Sequence, residues 1–535
     1  MKIKLLALFI FVSTSIFYIY TLSPSLAWGD GTRLQGEAIS GESLILSEMT
    51  PDEFSPDPFI FSKVGVTAWD HPLYIVIGHL LVKAFPFMDS LWLVNLISAI
   101  FGTASIVLVF QICNRYTNSL PTSSFAALGL AVSHTFWWHS STPEVYTLFI
   151  FLLLVSYWFF DAYEKNNSTL HLFLAAFFLG LAASNHILAF LAFPALGFYF
   201  VWSRNISLRN LNWRKITLPS LSFILGFSLY IIQFIRITQN LPLNEIAGPI
   251  VGSTFFSSLS LSPLVLGESF LRYLLFLFLN FSPLGIVLGV IGMRIGNKKI
   301  LSFYIVYMFF GVFYRVSDQF AFFLTSYVFF VFLMAIGLNH IFNTWDKKPR
   351  FILTSSLILI IILLPPFYRV LPNLSETVGM DDAYFDIPNV GTGVRNGFAY
   401  YIDPNKRDDN LPYEFGIEAM KNLPPNSIVI AEWYTDTDEY FVLRHFNRVE
   451  GMRPDVTVHG WMTIPPASFD SQLVLDVIED SFPGHPVYLA SLSDRFYASS
   501  KLVEMYCILP ENNLYRLYQR RDTDLQCLGI EDITE

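Results

Sequence analysis

The feature that most constrains this chain is a series of long apolar runs that continues from the N-terminus to about residue 367. Of its 535 residues, 53% are hydrophobic and only 14% are charged, whereas soluble domains carry about 25% charged residues. A helix needs about 20 mostly apolar residues to cross a membrane. The sequence therefore predicts a polytopic α-helical membrane protein with about eleven spans, at 5–22, 90–113, 122–140, 144–161, 169–187, 188–203, 216–236, 268–293, 300–314, 320–342 and 351–367.

Basic residues predict how these spans are oriented. The short apolar run 71–87 is interpreted as an interfacial helix on the outer surface. With that assignment, every basic cluster falls on the side of the N-terminus, which the positive-inside rule makes cytoplasmic. We therefore expect an integral protein of the cell inner membrane or plasma membrane, with an uncleaved first span. The clusters are Lys2/Lys4, Arg115, Lys165, 204–215, 294–299 and 347–350.

After the last apolar run, the composition becomes that of a soluble domain. The predicted organisation is a transmembrane module, 1–371, whose outer loop 23–89 carries interfacial helices, and an extracytoplasmic α/β domain, 372–535. Short buried runs bounded by polar residues predict its strands, and two further segments have helical character. The strands are expected at 428–431, 456–458 and 486–490, and the helices at 412–421 and 472–480.

Two features of the C-terminal region have more than one interpretation. Cys507 and Cys527 could form a disulfide in an oxidising compartment, and two unpaired thiols are equally compatible with their spacing. The acidic and aromatic run 432–439 follows a predicted strand, where α/β sheets commonly bind ligands. It is equally compatible with a solvated loop.

Ionisable and polar side chains accumulate on the predicted outer side, near membrane depth. Such groups are expensive in lipid and are candidates for function by default. The set consists of Asp30, Asp70, His71, His134, His139, Glu144, Tyr146, Asn185, His186, Arg272, Arg315 and Asp318.

Several of these residues have a structural alternative. Asp30 lies between two glycines and could belong to a simple turn. Glu144 begins a span, where the helix dipole favours a carboxylate. His134 and His139 flank two tryptophans and could be part of an interfacial aromatic belt.

The two arginines on the predicted outer side also have more than one interpretation. The run 280–285 contains Pro283 and should break or kink its helix. Arg272, on the outer half of that helix, could then line an anion site, or it could extend towards the lipid headgroups. Arg315 and Asp318 could form an ion pair at a helix end.

A succession of short motifs resembles a membrane family of GT-C glycosyltransferases that is related to protein O-mannosyltransferases. The resemblance continues into the soluble region and so covers most of the chain. The motifs are Trp28-Gly29-Asp30-Gly31, Asp70-His71-Pro72-Leu73-Tyr74, 94–102, Pro143-Glu144-Val145-Tyr146-Thr147-Leu148, 180–186, Leu423-Pro424-Pro425-Asn426-Ser427 and 449–456.

The resemblance implies transfer of a sugar from a polyprenyl-phosphate carrier to an acceptor, a protein or a glycan, on the outer face. Asp30 stands where such enzymes have their proposed base. The family usually reads Gly-Asp-Ser-Gly-Glu there, whereas this chain reads Gly-Asp-Gly-Thr-Arg and places Arg33 in the loop. His71, His186, Arg272 and Arg315 are candidates for binding the donor phosphate. The other site candidates are Arg33, Asp70, Glu144, Tyr146, Asn185 and Asp318.

Other classes of protein remain as alternatives. A transporter or flippase for a lipid-linked sugar would share the phosphate site, but it should show repeated halves, and no such repeat is evident. A non-catalytic membrane scaffold is a third interpretation. The net charge of -10 argues against nucleic acid as a partner. We expect no cofactor and no metal, because a lipid phosphate can leave without one.

Overall fold

The computed structural model describes residues 1–41, 71–203, 214–240, 258–316, 318–379, 397–433, 439–462, 470–520 and 526–529. One candidate site residue, Asp70, lies outside these ranges. So does the middle of the acidic run, 434–438.

Helices form most of the region before residue 380. They are α1 (Lys2–Tyr20), α2 (Asp30–Ser40), α3 (Pro72–Ala84), α4 (Ser90–Thr117), α5 (Leu120–Ala131), α6 (His134–Ser141), α7 (Tyr146–Asn166), α8 (Thr169–Asn185), a 3-10 helix (Ile187–Leu191), α9 (Ala192–Ser203), α10 (Arg214–Gly226), α11 (Ser228–Asn240), α12 (Pro263–Ile295), α13 (Lys298–Phe313), α14 (Gln319–Thr344) and α15 (Lys347–Thr377).

The predicted apolar runs all fall on helices, but fewer of these helices are long enough to cross a membrane than expected. In the described part of the chain, six helices are long and apolar enough to span, or seven if α10 and α11, bent by 61°, count as one. Helices α3, α5 and α8 and the segment 187–203 are shorter apolar helices. The run 122–140 is divided because α5 ends at Ala131 and a separate helix, α6, begins at His134. The structure thus shows a polytopic helical membrane protein, and eleven spans stay a prediction.

Proline explains the interruption of α12. Ser282 has non-helical dihedral angles, φ 58° and ψ 168°, and it directly precedes Pro283. Proline disfavours the helical conformation for the residue before it, so the expected kink is confirmed.

Close helix packing holds the bundle around α14. Of the candidate spans it is the most deeply buried. Glycines let α12 approach it: a Cβ at Gly292 would collide with the carbonyl oxygen of Leu333, and one at Gly337 with that of Leu288. Small residues at such crossings let helix backbones come together in membranes.

The C-terminal region contains a five-stranded sheet, with strand order β2-β1-β3-β5-β4. Strand β1 is parallel to β2 and β3, whereas β5 is antiparallel to β3 and β4. The predicted strands and helices are confirmed. The elements are α16 (Gly397–Ile402), α17 (Leu411–Lys421), β1 (Ile428–Trp433), α18 (Tyr440–Arg444), a π-helix (His445–Val449), β2 (Thr457–Met462), α19 (Gln472–Ser481), β3 (Val487–Leu489), α20 (Asp494–Tyr497), α21 (Ser499–Met505), β4 (Tyr506–Glu511) and β5 (Leu514–Gln519).

Three further details bear on the predictions for the C-terminal region and its boundary. A disulfide joins Cys507 to Cys527. The described ends of the acidic run, Glu432 and Glu439, are both 3% exposed, so these two carboxyl groups do not belong to a solvated loop. Helix α15 continues to Thr377, past the boundary predicted at residue 371.

Candidate active site

An amide pair fixes the loop that leads to Asp30. The Gln35 side chain donates a hydrogen bond to Asn95 Oδ1 (2.7 Å) and another to the Ser25 carbonyl (3.0 Å). Its Oε1 accepts one from the Ala27 amide (3.1 Å). Asn95, on α4, donates to the carbonyl oxygens of Ser23 and Ser25. Because these bonds saturate buried amides, the start of α2 is held rigidly against the bundle.

Asp30 is the first residue of α2 rather than the centre of a turn. The turn is made by Gly29, whose φ of 58° suits a residue without a Cβ. The Asp30 side chain is 33% exposed, and its Oδ1 lies 3.2 Å from Arg33 Nε. The buried Arg33 guanidinium therefore orients the partly exposed Asp30 carboxylate at the N-terminus of α2.

Arg33 is neutralised by two acids on the same helix face. Its Nη1 lies 3.7 Å from Glu37 Oε2, and both side chains are buried. Burial acts to lower the pKa of Arg33, but the charges of Asp30 and Glu37 outweigh it and raise that pKa above its usual value. The helical spacing 30, 33 and 37 was the sequence signal for Glu37, which the motif comparison missed.

His71 is a further residue within electrostatic range of Asp30 and Arg33. It has a positive φ of 44° before α3, and its Nδ1 lies 2.7 Å from the Asn185 carbonyl oxygen. Burial, followed by the positive charge of Arg33, lowers the pKa of His71 to about 4. The imidazole is therefore neutral at pH 7 and lies within electrostatic range of Asp30 and Arg33.

Rings connect His71 to a deeper row of side chains. The His71 and His186 rings are 5.0 Å apart, His186 is 5.3 Å from Tyr146, and Tyr146 is 4.8 Å from His139. The Asn185 side chain donates to the Val145 carbonyl (2.9 Å). The structure thus brings together five sequence-predicted residues, His71, His139, Tyr146, Asn185 and His186.

Glu144 joins the same group from the start of α7. Its backbone amide donates to Ser98 Oγ (3.0 Å), and that hydroxyl donates back to the Glu144 carbonyl (3.1 Å). Burial and then the charges of Asp30 and Asp318 raise the pKa of the Glu144 carboxyl well above its usual value. Two other predicted acids, Asp30 and Asp318, therefore lie within electrostatic range of Glu144.

The two arginines that were expected to bind the donor phosphate contact residues other than Asp30, His71 and Glu144. Arg315 pairs with Glu268 (3.0 Å) rather than with Asp318. Arg272 is exposed, so it is not the buried arginine of an anion site, and its Nη1 lies 3.5 Å from Gln319 Oε1. Its exposure matches an arginine that extends towards lipid headgroups.

A cation that sequence reasoning missed comes from the C-terminal region. Lys406 is buried, donates to the Tyr400 carbonyl and lies over the rings of Tyr400 (4.0 Å) and Trp138 (5.6 Å). Nearby, His134 Nε2 contacts the Tyr401 carbonyl (2.8 Å). Nothing in the local sequence marks Lys406, because only the tertiary fold brings it to Trp138.

Within the described ranges, no group of three or more His, Cys, Asp and Glu side chains could hold a metal ion. What the arrangement offers instead is a carboxylate, neutral imidazoles and a buried guanidinium. Proton transfer and hydrogen bonding to an anion are the chemistry that suits these groups.

Comparison with known proteins finds similarity in one segment of the sequence and in the overall fold. Residues 70–209 match the family model described as the protein O-mannosyl-transferase TMEM260 N-terminal domain. The structure of ArnT from Cupriavidus metallidurans bound to undecaprenyl phosphate matches over 96% of this chain and 97% of its own, with a TM-score of 0.57 and 12% identity. The fold of the chain therefore resembles that of ArnT, and residues 70–209 resemble the TMEM260 N-terminal domain. The resemblance inferred from the motifs is thereby confirmed.

Two further structures match this chain to different extents. ArnT in the apo state gives the same TM-score, 0.57, over 95% of this chain and 97% of its own, at 12% identity. The Saccharomyces cerevisiae protein O-mannosyltransferase Pmt1-Pmt2 complex bound to the sugar donor covers 45% of this chain and 34% of its own, at 17% identity and a TM-score of 0.33, too low to support an argument. No curated protein sequence matches the chain.

Proposed function

We propose that the protein transfers a sugar from a polyprenyl-phosphate carrier to a hydroxyl group on the outer face of the membrane, most simply a Ser or Thr of a protein. The observation that carries this proposal is Asp30, a partly exposed carboxylate that Arg33 holds at the start of α2. The family domain and the ArnT-like fold support a lipid-linked donor.

The reaction needs few groups. The acceptor oxygen attacks the anomeric carbon, and Asp30 takes the hydroxyl proton as the new bond forms. The bond from that carbon to the phosphate oxygen breaks, and the carrier leaves as polyprenyl phosphate. Hydrogen-bond donors preorganised around the departing phosphate stabilise the charge that develops on it.

The ion pair with Arg33 suits a base of this kind. It fixes the direction of the Asp30 carboxylate, and Glu37 shares the positive charge from the opposite side. Orientation is a large part of the catalytic effect, because a reacting group displaced by about 1 Å can cost about 10²-fold in rate.

The C-terminal region is proposed to select the acceptor on the outer side. It touches the catalytic helix directly, since the Arg33 guanidinium lies 5.9 Å from the Phe441 ring of α18. The Trp28 ring, just before Asp30, lies 5.6 Å from Phe415 of α17. An acceptor held by this region would therefore be next to the proposed base.

The test is turnover of purified Asp30→Asn protein with a panel of polyprenyl-phosphate sugars. The amide keeps the shape of the side chain but cannot take the proton, so we expect a loss of about 10²-fold or more. Asp346→Asn, an exposed acid before α15, is the matched control. Near-normal turnover of Asp30→Asn would mean that Asp30 is not the base and has a structural role only. Movement of the intact lipid-linked sugar across vesicles, without release of the carrier, would favour a flippase.

A further inference from the structure

Two backbone groups beside His186 determine which ring nitrogen carries the proton in His186 and in His71. They are the Leu188 amide and the Asn185 carbonyl. The Leu188 amide lies 3.1 Å from His186 Nδ1. A backbone N–H can only donate, so Nδ1 of His186 carries the lone pair. In the neutral ring the proton is then on Nε2, which makes Nε2 a donor.

His71 is held in the opposite tautomer. The atom opposite its Nδ1, at 2.7 Å, is the Asn185 carbonyl oxygen, and a carbonyl can only accept. Nδ1 of His71 therefore carries the proton, and Nε2 of the neutral ring is an acceptor. Two rings only 5.0 Å apart thus present opposite hydrogen-bonding character.

The donor on His186 is placed to serve a ligand. The residue is 7% exposed, and no described residue accepts a hydrogen bond from its Nε2. Apart from His71, the surrounding rings are Tyr146, Phe149 and Phe322. A polar N–H in such an apolar setting costs free energy until an acceptor arrives.

We propose that His186 Nε2–H donates a hydrogen bond to a phosphate oxygen of the polyprenyl-phosphate carrier. This inference rests on the proposed function and names one contact within it. His71 lies within electrostatic range of Asp30 and Arg33, and the His186 ring lies 5.0 Å from the His71 ring, directly after α8. The proposed phosphate contact is therefore next to a ring that neighbours the proposed base.

Two substitutions separate the two nitrogens of His186. His186→Asn places an amide oxygen near the position of Nδ1, so it can still accept from Leu188, but it has nothing at the Nε2 position. His186→Gln reaches the Nε2 position with an N–H donor and gives up the Leu188 contact. If His186 binds phosphate, the asparagine variant should be the weaker binder even though it keeps the local structure.

The experiment measures binding of undecaprenyl phosphate, and separately of inorganic phosphate, to the full-length protein in nanodiscs. We expect His186→Asn to bind undecaprenyl phosphate about tenfold or more weakly than wild type, and His186→Gln to recover most of that loss. His340→Asn, at an exposed position near the end of α14, is the control. Binding of inorganic phosphate alone to the same site would show that the headgroup suffices as ligand.

Three outcomes would overturn the inference. Wild-type affinity in His186→Asn would show that Nε2 makes no contact with the phosphate. Equal losses in the asparagine and glutamine variants would indicate a structural role only. Failure of the wild type to bind undecaprenyl phosphate would overturn the proposed function as well. If His186→Asn does not fold, the wild type labelled with ¹⁵N-histidine provides the measurement: one Nε2–H signal, absent from His186→Gln, must shift when undecaprenyl phosphate is added.

Discussion

Helix α7 has a polar cluster at each end, and the two differ in how completely their charges are matched. At its C-terminal end, Asp161 contacts Lys299 (2.8 Å), Arg115 (3.0 Å) and Lys165 (3.1 Å). The Tyr116 hydroxyl also donates to this carboxylate (2.9 Å). At the N-terminal end, roughly 22 Å away along the helix, the Glu144 carboxyl group and the His71 imidazole lie within electrostatic range of Asp30.

The difference separates a structural network from a candidate site. The Asp161 cluster ties α4, α7 and α13 together, and its acids and bases satisfy one another. The Asp30 cluster includes the buried Glu144, whose neighbouring carboxylates repel its ionised form, and His139, neither of whose ring nitrogens has a hydrogen-bond partner in the described chain. A cluster that contains donors and acceptors without partners can bind a substrate. A cluster whose charges are all paired, such as that of Asp161, serves to hold helices together.

The largest effect should come from breaking the saturated cluster. Asp161→Asn removes the carboxylate that Lys299, Arg115 and Lys165 share. Removing one partner of a buried pair costs about 3–5 kcal/mol, and the contact of Lys299 with Glu164, which remains, should keep the loss near the lower end. We expect a marked fall in melting temperature in detergent, with turnover per folded molecule retained. Asp346→Asn should melt like the wild type. A normal melting temperature for Asp161→Asn would mean that the cluster does not hold the bundle.

The Asp30 cluster should respond to acid through His71. Its pKa is lowered to about 4 in the folded protein and is about 6.5 when unfolded. Stability is therefore lost as the pH falls from 6.5 towards 4, by about 3 kcal/mol at most. Asparagine tolerates the positive φ at this position and can still donate to the Asn185 carbonyl. His71→Asn should consequently melt with a flatter pH dependence, and an unchanged profile would contradict this assignment.

Arg33 tests whether the ion pair orients the base. Arg33→Met removes the guanidinium from Asp30 and Glu37, and we expect kcat to fall about 10- to 100-fold with KM little changed. Arg33→Lys keeps the charge and should recover part of the rate. Separate measurement of kcat and KM decides the matter, since a change confined to KM would place Arg33 in substrate binding instead.

The smallest effect is expected at His139. Phenylalanine fills a similar volume and removes two buried nitrogens without partners, so His139→Phe should be as stable as the wild type or about 1 kcal/mol more stable. His139→Ala should be less stable, because it leaves a cavity. Thermal melts of the two variants provide the check. A clear destabilisation by phenylalanine would show that the imidazole is hydrogen-bonded in the working protein.

The sequence predicted those parts of the fold that depend on local pattern. Apolar runs located the helices, Pro283 located the kink, and short buried runs bounded by polar residues located three of the five strands, β1, β2 and β3. Asp30, His71, Glu144 and His186 could be gathered because each follows or precedes an apolar run on the same predicted side.

What sequence could not show depends on contacts between distant segments. Gln35 and Asn95 look ordinary until α2 folds against α4. Lys406 acquires its aromatic surroundings only when the C-terminal region meets α6. The exposed position of Arg272 follows from how α12 rotates against its neighbours, which its own pattern does not specify.

The contact between Arg33 and Phe441 has a consequence for biogenesis. Part of the cover of α2 is supplied by α18, about 400 residues later in the chain. Until α18 has been synthesised and, in the predicted topology, moved across the membrane, this part of α2 stays uncovered. A chain that is truncated or stalled before α18 should therefore insert its apolar helices without completing the packing around the proposed base.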